Sequence, residues 1–185
     1  TGTIDIRKKE RRLEITYRST KDKRRRYYTQ EVSSSILELS PFIMFLKHIM
    51  LPYSMLIIEE PEAHMHPSLQ RVFIRYLAKL VRRGIDVLII THSDYVLEQI
   101  NMLVTLSKLD DEGREEFAKK FGYDIEDYLE PEEVSAHLFK IEEDGCVIKE
   151  LEITEDGILE DEFFKVREEL YEETLAVKKL REGYI

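Results

Sequence analysis

The stretch Ser54-Met-Leu-Ile-Ile-Glu59-Glu60-Pro61 decides how this chain is read. An unbroken apolar run of strand length suits a central strand of a parallel sheet, buried on both faces. The run ends abruptly in two adjacent carboxylates. In open α/β sheets, ligands bind beyond the carboxyl ends of the strands. A carboxylate there can hold Mg²⁺, directly or through water. Its neighbour points the other way along the strand and can orient an attacking water. By spacing alone, the pair also fits a plain solvated strand end.

The residues that follow complete a unit. Pro67 is suited to the first turn of a helix. Leu69, Val72/Phe73, Tyr76/Leu77 and Leu80/Val81 recur at helical spacing up to Gly84. Asp86-Val-Leu-Ile-Ile-Thr91 is a second run of strand type. Strand, helix and strand within about forty residues predict the βαβ unit of a parallel sheet. Thr91-His92-Ser93 then leaves the second strand on the same rim as Glu60. An imidazole at that position can stabilise a terminal phosphate, and it can equally be a structural cap.

Upstream, Thr3–Arg7 and Leu13–Tyr17 alternate with period two and Arg26–Val32 can pair with the second of them, which predicts an antiparallel arm over residues 1–32. Ser33, Ser34 and Ser35 offer capping hydroxyls, with Glu38 at capping-box spacing from Ser35. The helix after them is apolar on nearly every side, with Pro41 marking a kink or a late start. Downstream, Val96–Ile100 continues a helix, and the charged residues 108–133 read as helical insertions. Ala136–Ile141 and Cys146–Ile153 read as strands about a turn at Gly145. A final helix is expected over 158–181, with a stripe at Leu159, Phe163, Val166, Leu170 and Val177. The fold expected is α/β: a mainly parallel sheet flanked by helices over residues 33–185, preceded by the antiparallel arm.

Composition narrows the class. The 185 residues are 43% hydrophobic and 36% charged, which suits a chain with a real core. The single cysteine, Cys146, excludes an internal disulfide framework and a cysteine-based zinc cluster. The cytoplasm is the default compartment. No apolar run approaches the roughly 20 residues of a membrane span, so no membrane partner is expected. Charge is uneven: residues 1–30 carry 11 Lys/Arg against 4 Asp/Glu, and residues 110–175 carry 7 against 25. A basic arm on an acidic body can meet nucleic-acid phosphates, or be a solvated hairpin. Amides are confined to Gln30, Gln70, Gln99 and Asn101, a scarcity that resembles a thermophile's chain.

Ile58-Glu-Glu-Pro-Glu-Ala-His-Met-His-Pro67, followed by Thr91-His-Ser-Asp94, strongly resembles the ABC-type ATPase heads of the RecF, SMC and OLD group. The closest likeness is to the ABC-like "AAA" ATPases of archaea and bacteria. It covers about residues 33–175, with its specific motifs in 54–94. The resemblance implies a P-loop NTPase fold, Mg-ATP as cofactor and heads that dimerise around it, with DNA repair or maintenance as the setting. It matches Glu59 to the Walker B acid on Mg²⁺, where the wider superfamily often has Asp. Glu60 matches the catalytic glutamate that positions water. Pro61 to His64, including Glu62, matches the D-loop region facing the partner head, and His92 the switch histidine near the γ-phosphate. Ser33, Ser34 and Ser35 look like the signature motif that reaches ATP across the dimer, with Ser35 where the family commonly has Gly.

None of the seven glycines begins or completes G-x-x-x-x-G-K-[ST], the phosphate-cradling Walker A loop. In the resembled family that loop lies N-terminal to everything in this chain. The expectation is therefore the C-terminal portion of a longer ATPase, inactive alone, whose partners are the missing Walker A segment, a second head and DNA. Two other readings stand beside it. His64 and His66 with Glu60, Glu62 and His92 form a candidate zinc set for a metal hydrolase. A non-catalytic module that binds protein or nucleic acid is the other.

Overall fold

A computed structural model describes residues 2–9, 12–20, 22, 27–28, 34–48, 51, 53–142, 145–159 and 162–182. The arm is a three-stranded antiparallel sheet of β1 (Gly2–Lys9), β2 (Arg12–Ser19) and β3 (Tyr27–Tyr28). Asp5 accepts from Arg18 across the first pair at 2.6 Å. Residues 23–26, which hold the basic run Arg24-Arg25-Arg26, lie outside the described residues.

Helix α1 (Ser34–His48) runs through Pro41. It begins one residue before the expected cap at Ser35, as any of three successive serines can cap. Ser33 lies outside the described residues, as do the side chains of Ser34 and Ser35. Strand β4 (Met55–Glu59) pairs in parallel with β5 (Asp86–Ile90), from Met55 opposite Asp86 to Glu59 opposite Ile90. The crossover is α2 (Pro67–Val81), with Pro67 in its first turn as predicted. Gly84 takes a left-handed φ of +76° in the turn back to β5, a conformation that costs other residues strain.

The core forms where α2 and α3 (Asp94–Ser107) cover one face of the β4–β5 pair. Ile74, Leu77, Val96, Leu103 and Val104 are buried, and Leu56 reaches them from β4. Phe42 of α1 packs on Phe73 with ring centroids 5.1 Å apart. The other face of the pair is open: Met55 and Ile57 are each 61% exposed, beside exposed Leu88 and Ile90. The strands expected to be buried on both faces are therefore buried on one.

Helix α4 (Asp111–Phe121) is capped by the Asp110 side chain and ends at left-handed Gly122. A row of cations on α2 holds the segment that follows. Arg75 donates to the Gly122 carbonyl at 3.0 Å, and Lys79 to Asp124 at 2.9 Å. Arg82 lies over the Tyr128 ring at 3.9 Å. Buried Asp127 receives Lys79 and Arg75 at 3.3 and 3.6 Å. A 3₁₀ turn (Pro131–Glu133) leads into the antiparallel pair β6 (Ala136–Glu142) and β7 (Gly145–Leu151). A short pair, β8 (Ile153–Thr154) and β9 (Gly157–Ile158), docks on α3 through Asn101. Helix α5 (Glu162–Glu182) closes the described chain.

The expectation of a mainly parallel sheet is corrected here. Among the described residues, parallel pairing is confined to β4 and β5, and the other pairings are antiparallel. Helical crossovers make parallel pairs and short turns make antiparallel ones. The sequence that reads as βαβ is a single unit, whereas the remaining strands come as hairpins.

Candidate functional site at the β4–β5 rim

The site is built on the carboxyl ends of two parallel strands. Glu59 is the last residue of β4, level with Ile90 of β5, and its side chain is exposed. Its alternation places it on the open face with Met55 and Ile57. Glu60 follows with φ +45°, and its N–H donates to the Ile90 carbonyl at 2.7 Å. A left-handed backbone is uncommon for a side chain with a Cβ and clusters at functional turns. His64, five residues into the same turn from Glu59, has φ +59°. The chain thus leaves β4 through a tightly bent segment seated on buried Pro61.

That turn is bonded to the end of β5. Glu62 Oε1 accepts from the Thr91 hydroxyl at 2.7 Å and from the His92 backbone N–H at 2.8 Å. Glu62 Oε2 is buried, with no hydrogen-bond partner among the described residues. The Ser93 hydroxyl donates to Gln70 Oε1 at 2.6 Å, and Gln70 Nε2 donates to the Met65 carbonyl at 3.0 Å. Gln70 sits in the first turns of α2, and Ser93 stands at the N-terminal boundary of α3. Both segments that leave the strands are therefore tied to each other and to the two helices behind them. A carboxylate that accepts charge-assisted bonds from two donors holds its partners firmly.

The structure brings Glu59, Glu60, Glu62, His64 and His92 to one rim. The side chain of His92 is exposed while its backbone is fixed. His66 has a different task. It caps α2: its Nδ1 accepts from the Ser68 N–H at 3.3 Å and lies 2.8 Å from the Ser68 hydroxyl. The zinc set proposed from His64, His66, Glu60, Glu62 and His92 does not converge. Among the described residues, no three His, Cys, Asp or Glu side chains come together to hold a metal ion. Oxygen donors at the rim suit a hard cation such as Mg²⁺, which takes one or two protein carboxylates and completes its shell with water and phosphate.

Sequence reasoning missed Gln70, Thr91 and Ser93 as the scaffold of the site. A signal existed for Gln70: one of only four amides in the chain, it falls on the buried face of an amphipathic helix. The cleft of about 390 Å³ between α2 and residues 122–127 involves none of the rim residues. Its Lys79 and Arg75 pair with Asp124 and Asp127.

A family model described as "AAA ATPase domain" matches residues 6–97, just under half of the chain and inclusive of the whole rim. A solved SMC ATPase, from work on "ATP-driven dimerization and DNA stimulated activation" of such enzymes, matches in fold with a TM-score of 0.56 and 10% identity. The match covers 92% of this chain and 81% of that one. No curated protein matches. Residues 6–97 are thus similar to an AAA ATPase domain, and the chain shares its fold with an SMC ATPase. Among the described residues, no helix is long and apolar enough to cross a membrane.

Proposed function

We propose that this chain is the C-terminal lobe of an ABC-type ATPase head, with residues 1–32 as a basic arm and 33–185 as the lobe proper. The observation that carries the reading is the junction at the rim. Two adjacent carboxylates end β4, a histidine follows β5, and Glu62 bonds the two exits together. In this reading Glu59 holds Mg²⁺, which neutralises phosphate charge when the nucleotide is bound. Glu60 orients the attacking water, and His92 stands by the terminal phosphate. Ser33, Ser34 and Ser35 form the signature segment that reaches the nucleotide of a second head. Glu62 and His64 belong to the D-loop region: Glu62 serves as its internal brace, and exposed His64 is on the side that meets the partner.

The Walker A loop is supplied by a segment outside these 185 residues. The open apolar face of Met55, Ile57, Leu88 and Ile90 supports this, as a two-stranded sheet with one bare face has room for further structure. Most of the phosphate-binding energy of such folds comes from the backbone N–H groups and lysine of that loop. The chain alone therefore binds ATP weakly and does not turn it over. The protein works in the cytoplasm, and DNA is its partner class, met through the arm. Duplex binding should weaken steeply with salt, and no binding at low salt would remove the arm from this role.

Calorimetric titration of Mg-ATP tests the reading. Joining the Walker A segment to the chain should restore tight binding and turnover. Micromolar affinity and steady hydrolysis by the 185-residue chain alone would contradict it.

A further inference from the structure

We propose that α5 pairs with the α5 of a second copy of this chain, antiparallel, in an interface that needs no nucleotide and does not involve the β4–β5 rim. Val166, Leu170, Val177 and Leu180 are between 56% and 65% exposed, far more than apolar side chains of an amphipathic helix packed on its own domain. They follow a heptad: Leu170 and Val177 at one seam position, Val166 and Leu180 at the other, with Glu173 completing the second set. A 3.5-residue seam is the pattern of a helix that winds on another helix. The 21 residues of α5 span about 32 Å, and five described residues lie along the seam.

The seam is complementary to itself. One antiparallel register sets Val166 against Val177 of the second copy and Leu170 against Glu173, and the two-fold axis repeats each layer. Charge selects the same direction. The sequence entering the helix, Glu160-Asp161-Glu162, is acidic, and its end carries Lys178, Lys179 and Arg181. Antiparallel pairing brings the acidic start of each copy beside the basic end of the other, whereas parallel pairing stacks like on like. The helix dipoles favour the same arrangement. Arg167 ties α5 to its own chain from the flank, at 3.0 Å from Glu98 and 3.7 Å from Asp94 of α3. Glu173 is the polar residue in an apolar seam that fixes register at a cost in affinity.

Sedimentation equilibrium of the full chain without nucleotide is the test. The chain should be a dimer at roughly 100 µM, a concentration at which a weak interface of this size is populated. Leu170→Glu with Val177→Glu should raise the dissociation constant at least about a hundredfold, since unpaired charge would be buried. Glu173→Leu should lower it at least about tenfold, a gain that no folding defect can imitate. In a Cys146→Ser background, Val166→Cys mixed with Val177→Cys should give a disulfide-linked pair, and neither alone should link. A monomer at that concentration overturns the proposal. So does a dimer indifferent to these substitutions but lost in Ile57→Glu on the open sheet face, or linkage of Val166→Cys to itself.

Discussion

Glu62 Oε1 lies 2.8 Å from the backbone nitrogen of His92 and accepts its N–H. It accepts the Thr91 hydroxyl as well, so one carboxylate closes the gap between the turn after β4 and the exit of β5. Removing it strands two donors. Glu62→Ala should lower stability by about 1–3 kcal/mol, the cost of unmade bonds to a charged acceptor. Glu62→Gln keeps one acceptor and should cost less. Amide exchange at His92 should accelerate in Glu62→Ala while exchange in α5 stays as it was. Unchanged protection at His92 would show that the bond is not made in solution.

The His92 side chain is exposed although its backbone is pinned. His92→Ala should therefore leave thermal stability within about 0.5 kcal/mol, as for surface substitutions generally. In the ATPase assembled with its Walker A segment, it should reduce turnover more than ADP affinity. Equal losses for ADP and ATP with turnover preserved would make His92 structural.

The Lys79–Asp124 contact predicts a pH dependence. Burial works against the Lys79 ammonium, but hydrogen bonding to Asp124 and the charge of Asp127 outweigh it and hold its pKa above the usual value. The hydrogen bond from Lys79 is the main cause holding Asp124 below the usual carboxylate value. The Asp124 contribution is present above the unfolded-state carboxylate pKa and lost as pH falls through its lower folded value. The Lys79 contribution is complete below its unfolded pKa and lost as pH rises through the folded one. Asp124→Asn should lower stability by less than about 1 kcal/mol at neutral pH, because the Asp124 side chain is about half exposed and its charge is screened by solvent. That difference should vanish at strongly acid pH. A penalty that persists there would mean that the carboxylate's charge is not what matters.

Gly157 has φ +108°, and a Cβ on it would collide with the side chain of Asn101, whose Oδ1 accepts the Ile158 N–H at 2.8 Å. Gly157→Ala should cost about 1–3 kcal/mol through strain and a displaced hydrogen bond. Denaturant unfolding measures it, and a neutral result would show that β8–β9 is not held on α3.

The parts of the fold written in local pattern were legible. Pro67 and the stripe through Leu77 fixed α2, and the apolar runs fixed β4 and β5 to within a residue or two. Burial was not legible. Met55 and Ile57 look like core in a list of residues, yet the described chain covers only the opposite face, and a uniform apolar run cannot show how many layers enclose it. The rim was half legible. Adjacent carboxylates after an apolar run announce themselves, whereas Glu62, legible as part of the turn after them, shows its bracing role only once β5 brings Thr91 and His92 to it. His66 shows the converse: in sequence it pairs with His64 as a metal motif, and in the fold it is a helix cap.

The most direct measurement of the central claim is single-turnover ATP hydrolysis by the assembled head carrying Glu60→Gln. A carboxamide keeps the shape of the side chain at the left-handed turn but cannot take a proton from water. The account predicts Mg-ATP affinity within about threefold of the unaltered protein and a hydrolysis rate lower by about two to three orders of magnitude. Glu59→Gln should instead weaken the Mg²⁺-dependent part of binding. A Glu60→Gln protein that hydrolyses ATP at the unaltered rate would contradict the assignment of this rim as the catalytic edge of an ATPase.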